Sequence, residues 1–404
     1  MIRYFFRAAV ALACCLMTGY AAASAIGPAT PDPATQTLAR PYATFGFDML
    51  RELRSEQPNT NVFISPTSIA VALAMTANGA GGTTRSAIMQ TLRTGGMSMD
   101  VFNAANRALR SQIAHTTAVR LAMANALWLQ TGFAVRPQFT NTARAVFGAQ
   151  VGNLDFRNPR SVDTVNAWAD KHTDGMIPKV LDTIDPSTVV MLANAIAFKG
   201  KWTLPFAPAS TAKHNFTTAS GTIKTVEMMS HAGRYAYVQS GGVAAIALPY
   251  ADRSFAMYVV LPENAAALDA FVRGLTTTSF DALIASLQMQ SGTIQIPRFR
   301  ISYDTKLNGA LNKLGMGVAF TRAADFRNIR PATRLEISDV HHASFLNVDE
   351  EGTQAAAVTT VGIKMLAIRV EPPPFTMIVD HPFLVAIRDE RSGQLLFLGT
   401  IVDP

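Results

Sequence analysis

Residues 349–366 have the sequence Asp-Glu-Glu-Gly-Thr-Gln-Ala-Ala-Ala-Val-Thr-Thr-Val-Gly-Ile-Lys-Met-Leu. After three acids the segment becomes small, apolar and β-branched, and it lacks the Pro, Asn and Ser that are common in turns. Every second residue from Thr353 to Ile363 is uncharged, and most of these residues are small. Such alternation is typical of a strand with one buried face. Glycines at 352 and 362 bracket the run, so a segment placed like a loop has the pattern of a buried strand.

The whole chain has the composition of a globular protein with an ample core. It contains 404 residues, of which 49% are hydrophobic and 16% are charged. This balance excludes an intrinsically disordered chain. No internal repeat or long linker divides the sequence, so we expect one α+β domain over residues 41–404, preceded by a spacer at 26–40.

The first 25 residues have the pattern of a secretory signal peptide. Arg3 and Arg7 precede a short apolar run, and small residues follow with cleavage predicted after Ala23 or Ala25. We therefore expect a secreted protein, extracellular or periplasmic. Cys14 and Cys15 would leave with the signal; a lipoprotein signal is the alternative for them, but the residues before them fit it poorly.

The remaining charge pattern gives no sign of a nucleic acid or membrane partner. Removing Arg3 and Arg7 lowers the formal charge from +7 to +5, because the first 25 residues hold no other charged side chain. No later apolar run reaches the roughly 18 residues of a membrane span. No Lys/Arg run is interleaved with aromatic residues.

Helix and strand patterns recur along the chain. Phe45, Met49 and Leu53 have helical spacing. Ser65 followed by Pro66 is typical of the start of a helix, which we expect to end near Gly79. Further helices are predicted at 101–114, 137–149, 165–175, 265–288 and 305–314. Strands are predicted at 119–130, 189–198, 245–250, 255–262, 293–300, 383–387 and 395–402.

Nine collinear segments resemble the serpin family of serine protease inhibitors over almost the whole mature chain. They are Asn61–Ala70, Asn194–Phe206, Leu248–Tyr250 with Val260–Pro262, Ile296–Phe299, Leu311–Met316, Ala324–Phe326, Asp349–Ala357, His381–Phe383 and Leu396–Gly399.

The resemblance implies a fold of three β-sheets and about nine helices, with an exposed reactive-centre loop at about 350–374. It also implies a suicide substrate. A serine protease, or a cysteine protease, attacks the loop and forms a covalent acyl-enzyme. The cleaved loop then inserts as a strand into the central sheet and deforms the protease. On this basis we expect a monomer that is not an enzyme and that needs no cofactor or metal.

The loop sequence fits an inhibitory member. An inserted strand of roughly 14 residues, at about 3.3 Å each, would be about 45 Å long. Every second residue would enter a packed core, where an unpaired charge costs several kcal/mol. The predicted hinge avoids charge after its first residues and consists of Glu350, Glu351, Gly352, Thr353, Ala355, Ala356 and Ala357.

Spacing from the hinge glutamate in inhibitory serpins would place the reactive bond at Leu366–Ala367. Leucine there suits chymotrypsin-, cathepsin G-, elastase- or subtilisin-like targets. A one-residue shift gives Met365–Leu366 with similar specificity, whereas Arg369–Val370 would indicate a trypsin-like target. Lys364 is a weaker candidate. The segment 367–380 departs from many relatives because it is long and holds three consecutive prolines.

Two further groups match functional regions of the family. The shutter, under the middle of the central sheet, corresponds to Ser65, Ser68, Asn194 and His342, with His341 as the competing histidine. The breach, where insertion begins, corresponds to Lys199, Gly200 and Trp202. Ser-His-Asn catalysis is a different interpretation of the first group, but the chain has no Gly-x-Ser-x-Gly motif.

Two other functions remain as alternatives. A non-inhibitory serpin would act as a carrier or chaperone. Ser210-Thr211-Ala212-Lys213 also matches the Ser-x-x-Lys motif of secreted acyl-transferases, but Pro205 and Pro208 place it in a loop, and Lys-Thr-Gly is missing. The seven histidines show no metal-ligand spacing.

Overall fold

The computed structural model describes residues 36–114, 119–331, 334–352 and 373–404. The predicted signal peptide and most of the spacer lie outside these ranges. So do the later hinge and every candidate for the reactive bond, namely Thr353, Ala355, Ala356, Ala357, Lys364, Met365, Leu366, Ala367 and Arg369.

Nine α-helices occur within the described residues. They are α1 (Ala39–Glu56), α2 (Pro66–Gly79), α3 (Gly82–Thr91), α4 (Met99–Ala114), α5 (Pro137–Phe147), α6 (Ser161–His172), α7 (Ala265–Gly274), α8 (Thr277–Ser286) and α9 (Asn308–Leu311). The start of α2 is as predicted: the Ser65 side chain accepts a hydrogen bond from the Ser68 amide, and Pro66 occupies the first turn.

Fourteen strands complete the described part of the chain. They are β1 (Val62–Ile64), β2 (Val119–Gln130), β3 (Gln150–Leu154), β4 (Val190–Gly200), β5 (Ala212–Thr217), β6 (Ile223–Ser240), β7 (Val243–Pro249), β8 (Phe255–Pro262), β9 (Gln288–Pro297), β10 (Phe299–Lys306), β11 (His341–Val348), β12 (Phe375–Ile378), β13 (Phe383–Asp389) and β14 (Leu395–Ile401).

These strands form two hydrogen-bonded sheets. The five-stranded sheet has the order β10-β11-β4-β2-β3, and the nine-stranded sheet has the order β1-β14-β13-β8-β7-β6-β9-β12, with β5 also on β6. The larger sheet divides along β6, whose residues 223–228 pair with β5 while residues 236–240 pair with β7. The predicted third sheet is therefore the β5, β9 and β12 end of the larger one.

The predicted α+β class agrees with this arrangement, although some strands differ. The expected strand at 293–300 is divided at Arg298 into β9, which pairs with β6 in the larger sheet, and β10, which pairs with β11 in the five-stranded sheet. Strand β11 was not predicted. Its residues His341, His342, Ser344 and Asn347 interrupt the apolar pattern.

The main core lies between the sheets and α1, α2 and α4, and a second apolar cluster lies between α6 and the five-stranded sheet. Trp128 of β2 and Trp168 of α6 meet edge to face in that cluster, with centroids 6.3 Å apart. Among the described residues, no helix is long and apolar enough to cross a bilayer.

Candidate functional site

The centre of the five-stranded sheet contains one short parallel junction. Strand β4 pairs with β11 over only Ala195–Ala197 and Ala343–Phe345. On its other edge β4 pairs antiparallel with β2 along eleven residues, and β11 pairs antiparallel with β10 along eight. The two halves of the sheet therefore share three residue pairs, and the predicted shutter and breach residues lie around this junction.

The first turn of α2 holds β11 from below. The Ser65 amide donates to Nε2 of His342 at 3.1 Å, and the Ser65 hydroxyl donates to the Leu396 carbonyl of β14 at 2.6 Å. Strand β11 is fixed again by Ser344, whose hydroxyl donates to the Phe63 carbonyl at 2.6 Å.

The same helical turn also holds β4. The hydroxyl of Ser68 donates to the side-chain oxygen of Asn194. The Asn194 amide in turn donates to Asn125 Oδ1 of β2 at 2.7 Å, and Asn125 donates to the Phe147 carbonyl at 3.2 Å. One helix N-terminus thus contacts both halves of the sheet through two serines three residues apart.

His342 is neutral in this setting. Only 2% of its surface is exposed, and burial lowers the pKa of its imidazole to about 3. Its Nε2 accepts the Ser65 amide, so the ring proton resides on Nδ1. His341 lies next to it but is partly exposed, 3.9 Å from Asp339. The structure therefore places His342, not His341, in the shutter network.

Trp202 closes the upper end of the junction, beyond the last residue of β4. Its indole stacks on Tyr250 at 4.6 Å, and its Nε1 donates to the Asp349 carbonyl at 2.9 Å. The Trp202 amide donates to the Glu351 carbonyl at 3.0 Å. This side chain joins the end of β4 to the chain that leaves β11.

Gly352 ends the described part of the hinge in a conformation that favours glycine. Its φ is +112°, in the region that other residues rarely adopt. A Cβ at this position would lie 2.3 Å from the Gly200 carbonyl oxygen and 2.5 Å from the Trp202 amide nitrogen. Gly200 is itself enclosed by Tyr250 and Val119. The chain after β11 therefore bends sharply against the end of β4.

Glu350 anchors the hinge through a buried carboxylate. Only 5% of the residue is exposed, and its Oε1 accepts hydrogen bonds from Arg298 and, at 2.6 Å, from the Thr211 hydroxyl. Burial alone would raise the pKa of Glu350, but the bonds from Arg298 and Thr211 outweigh it and leave the pKa below its usual value. The neighbouring Glu351 has no comparable side-chain anchor among the described residues.

Comparison with known proteins gives the family. A model described as serpin (serine protease inhibitor) matches residues 40–404. The chain belongs to the serpin family. It is similar to an uncharacterized serpin-like protein of Thermococcus kodakarensis, at 31% identity over 89% of this chain and 84% of the relative. It is also similar to Iripin-2 of Ixodes ricinus, at 31% identity over 88% and 91% of the two chains.

Solved serpin structures share the fold. The thermophilic serpin tengpin in its native state is 28% identical, with a TM-score of 0.83, over 94% of this chain and 96% of its own. The predicted serpin fold class is thus confirmed.

Most of the predicted site residues that can be described lie at this serpin's sheet junction. Ser65, Ser68, Asn194 and His342 form one network, and Trp202 and Gly200 meet Glu350–Gly352 above it. Lys199 lies on β4 opposite Arg120. Ser210 ends an exposed 3₁₀ turn and Lys213 lies on β5, so the Ser-x-x-Lys motif does not open a helix.

Several residues that take part in these hydrogen-bond networks were not identified from the sequence. Asn125, Thr211 and Arg298 make hydrogen bonds with predicted site residues, and Ser344 donates to the Phe63 carbonyl beside them. The polar Asn125 inside the otherwise apolar Ala122–Leu129 run is the one signal that was visible, since a buried amide needs a partner. Within the described ranges, no cluster of His, Cys, Asp or Glu could hold a metal ion.

We expect Glu350→Gln to destabilise the native hinge. The amide cannot retain the charge-assisted bond with Arg298, and loss of such a buried bond costs about 2 kcal/mol. Because the pKa of Glu350 is depressed, its contribution should be present above the usual value of about 4.5 and lost as pH falls below it. Urea unfolding at pH 7 and pH 3.5 measures both effects. Glu351→Gln is the matched control and should change little; equal stability of the two variants would contradict the anchor.

His342→Gln should reduce the acid sensitivity of the protein. The unfolded histidine binds a proton near pH 6.5 and the folded one only near pH 3, so neutral His342 contributes stability above pH 6.5 that is lost as pH falls. Between pH 6 and 4.5, the slope of unfolding free energy against pH should decrease by about 1.4 kcal/mol per unit. Urea titrations at three pH values check this, with His214→Gln as control. If the slope of unfolding free energy against pH is unchanged in the variant, His342 is not a buried neutral imidazole in the folded protein.

Proposed function

We propose that this protein is a secreted inhibitory serpin, a suicide substrate for serine proteases and itself not an enzyme. The observation that carries the proposal is the parallel junction of β4 with β11. A chain that leaves β11 at Gly352 and folds back between the two strands runs antiparallel to both. Insertion would therefore replace three parallel residue pairs by two antiparallel ladders, which are the more stable arrangement.

The loop sequence supports the same proposal. The face from Thr353 to Ile363 carries no charge, and Ala355–Ala357 can enter between β4 and β11 without displacing large side chains. The hinge before it starts at the upper end of the junction, against Gly200 and Trp202. We infer that insertion begins there and proceeds toward the beginning of β4.

The proposed reactive bond is Leu366–Ala367, with a chymotrypsin-, elastase- or subtilisin-like target. Secretion rests on the signal-peptide pattern of residues 1–25. The family description names serine protease inhibition. A non-inhibitory role as carrier or chaperone is the alternative within the family. Incubation with a protease distinguishes the two functions, because only an inhibitor forms a stable complex with it.

The deciding experiment is incubation of the purified protein with chymotrypsin, subtilisin and trypsin, followed by a denaturing gel. Inhibition should give a denaturation-resistant band of inhibitor plus protease with chymotrypsin or subtilisin. Sequencing of the released C-terminal peptide should begin at Ala367. If every protease cleaves the loop and remains active, the inhibitory function is wrong. A peptide that begins at Val370 would instead move the bond to Arg369.

Thr353→Arg should convert the inhibitor into a substrate, because the first inserted side chain would carry a charge into the sheet at a cost of several kcal/mol. Gln354→Arg is the matched control, since the same charge one residue later lies on the outward face. The ratio of inhibitor consumed per protease inhibited should increase at least tenfold for Thr353→Arg and stay near the parent value for Gln354→Arg. Equal ratios for the two variants would contradict an inserted strand in which residue 353 faces the core and residue 354 faces outward.

A further inference from the structure

Three methionines line one cavity at the connection between α3 and α4. Met89 lies in the last turn of α3, Met97 lies in the connection, and Met99 is the first residue of α4. The cavity has a volume of about 300 Å³, and all three side chains belong to its wall. The sequence holds 17 methionines, and the three that fall within residues 89–99 form a local concentration of thioether groups.

A turn brings the two ends of this segment together. The Thr94 amide donates to the Met89 carbonyl at 2.9 Å, and the Met97 amide donates to the Thr94 carbonyl at 3.1 Å. Gly96 reverses the chain with a φ of +94°, in the region that favours glycine. The Thr94 hydroxyl lies 3.7 Å from the sulfur of Met89, so this sulfur is located at the turn that carries Met97.

The three side chains do more than fill the core. Met89 is only 6% exposed, and Met97 and Met99 are partly buried against the main core. A methionine that only fills a gap in the core is surrounded by close-packed neighbours. Here the adjoining cavity has roughly ten times the volume of one water molecule in the liquid, so there is space for an ion beside the thioethers.

The other described residues of the wall offer no anionic ligand. They are Arg85, Ser86, Gln90, Gly95 and Gly96, and none is an acid, a histidine or a cysteine. The Arg85 guanidinium donates to the Ala80 carbonyl from Nε at 2.9 Å and from Nη2 at 2.6 Å, which holds it toward the start of α3. Its positive charge repels a divalent ion twice as strongly as a monovalent one.

We propose that Met89, Met97 and Met99 bind one copper(I) ion at this cavity. Thioether sulfur is a soft, uncharged ligand that selects copper(I), whereas calcium and magnesium require oxygen ligands. Zinc is held by thiolate, imidazole or carboxylate groups, which this wall lacks. The ion would connect the last turn of α3 to the first turn of α4. The site involves neither the hinge nor the reactive bond, so it is independent of the proposed inhibition.

Binding is tested on the intact protein with silver(I) as a redox-stable probe for copper(I). Treatment with N-ethylmaleimide first blocks Cys14 and Cys15, the two thiols of the sequence, in any molecule that retains residues 1–25. Isothermal titration calorimetry with silver nitrate in a chloride-free buffer should show one saturable site with a Kd on the order of 10 µM or tighter. Zinc and magnesium should bind this site at least about tenfold more weakly.

Leucine variants test the thioethers without changing the size of the side chains, because leucine and methionine have similar volumes. Met97→Leu with Met99→Leu should weaken silver(I) binding about tenfold or more, and Met89→Leu should also weaken it. The matched control is Met176→Leu with Met289→Leu, which removes two thioethers outside the cavity wall. The control should bind silver(I) like the parent, and an unchanged melting temperature in all variants shows that the fold is intact.

Two further measurements identify the ligand atoms. X-ray absorption of the protein loaded with copper(I), under argon and with ascorbate, should show sulfur atoms bound to the metal. A thioether has no proton to lose, whereas imidazole ligands become protonated in mild acid. The silver(I) affinity should therefore stay constant between about pH 7.5 and pH 5.5.

Several results would overturn the proposal. Equal silver(I) affinity in the parent and the Met97/Met99 variant would remove the thioether site. Nitrogen or oxygen atoms around copper in place of sulfur, or an affinity that falls steeply toward pH 5.5, would assign the binding to surface histidines. Tighter binding of zinc than of silver(I) at the variant-sensitive site would contradict a soft ligand set. Because these measurements involve no protease, their outcomes are separate from any failure of inhibition.

Discussion

The parallel pairing of β4 with β11 is the narrowest connection in the five-stranded sheet. Three residue pairs join two halves that are each held internally by eight or more antiparallel pairs. Separating the halves breaks few backbone hydrogen bonds, whereas separating β10 from β11 or β2 from β4 breaks many. The junction is therefore the line along which the sheet has the fewest backbone hydrogen bonds, and the predicted hinge residues Glu350–Gly352 lie at its upper end.

Side chains hold the junction together as well as the backbone of the sheet does. Ser65 binds His342 of one half and Ser68 binds Asn194 of the other; Ser65 caps the N-terminus of α2 and Ser68 lies in its first turn. The helix N-terminus acts as a clamp, because its spacing is fixed by helical geometry and both partners are buried. Opening the junction must leave at least one of these polar groups without its partner until a new one arrives.

Some of this arrangement was predictable because its causes are local. Ser65-Pro66 starts a helix by capping chemistry, and the uniformly apolar run from Phe255 to Pro262 forms a strand as expected. Strand β11 was missed because its polar residues make contacts on both faces of the sheet. Its sequence therefore lacks the alternation of polar and apolar residues that is typical of a strand. The pair of Glu350 with Arg298 joins residues 52 positions apart, and no local pattern encodes such a distance. The resemblance predicts a hinge at Glu350, but only the packing shows the contacts of its carboxylate with Arg298 and Thr211.

The two ends of the junction differ in a way that gives insertion a direction under the proposed mechanism. At the upper end Trp202, Gly200 and Glu350–Gly352 are tightly packed, so a strand must displace existing contacts there first. At the lower end a cavity offers space, and residues 190–194 of β4, which pair with no strand on the side of β11 in the described part of the chain, offer hydrogen-bond partners. The free-energy cost of displacing existing contacts therefore falls on the first inserted residues. Much of the free energy gained from new packing and hydrogen bonds comes with the last inserted residues. A charge near the start of the loop should consequently be more harmful than one near its end, because it adds to the early cost before any gain is reached.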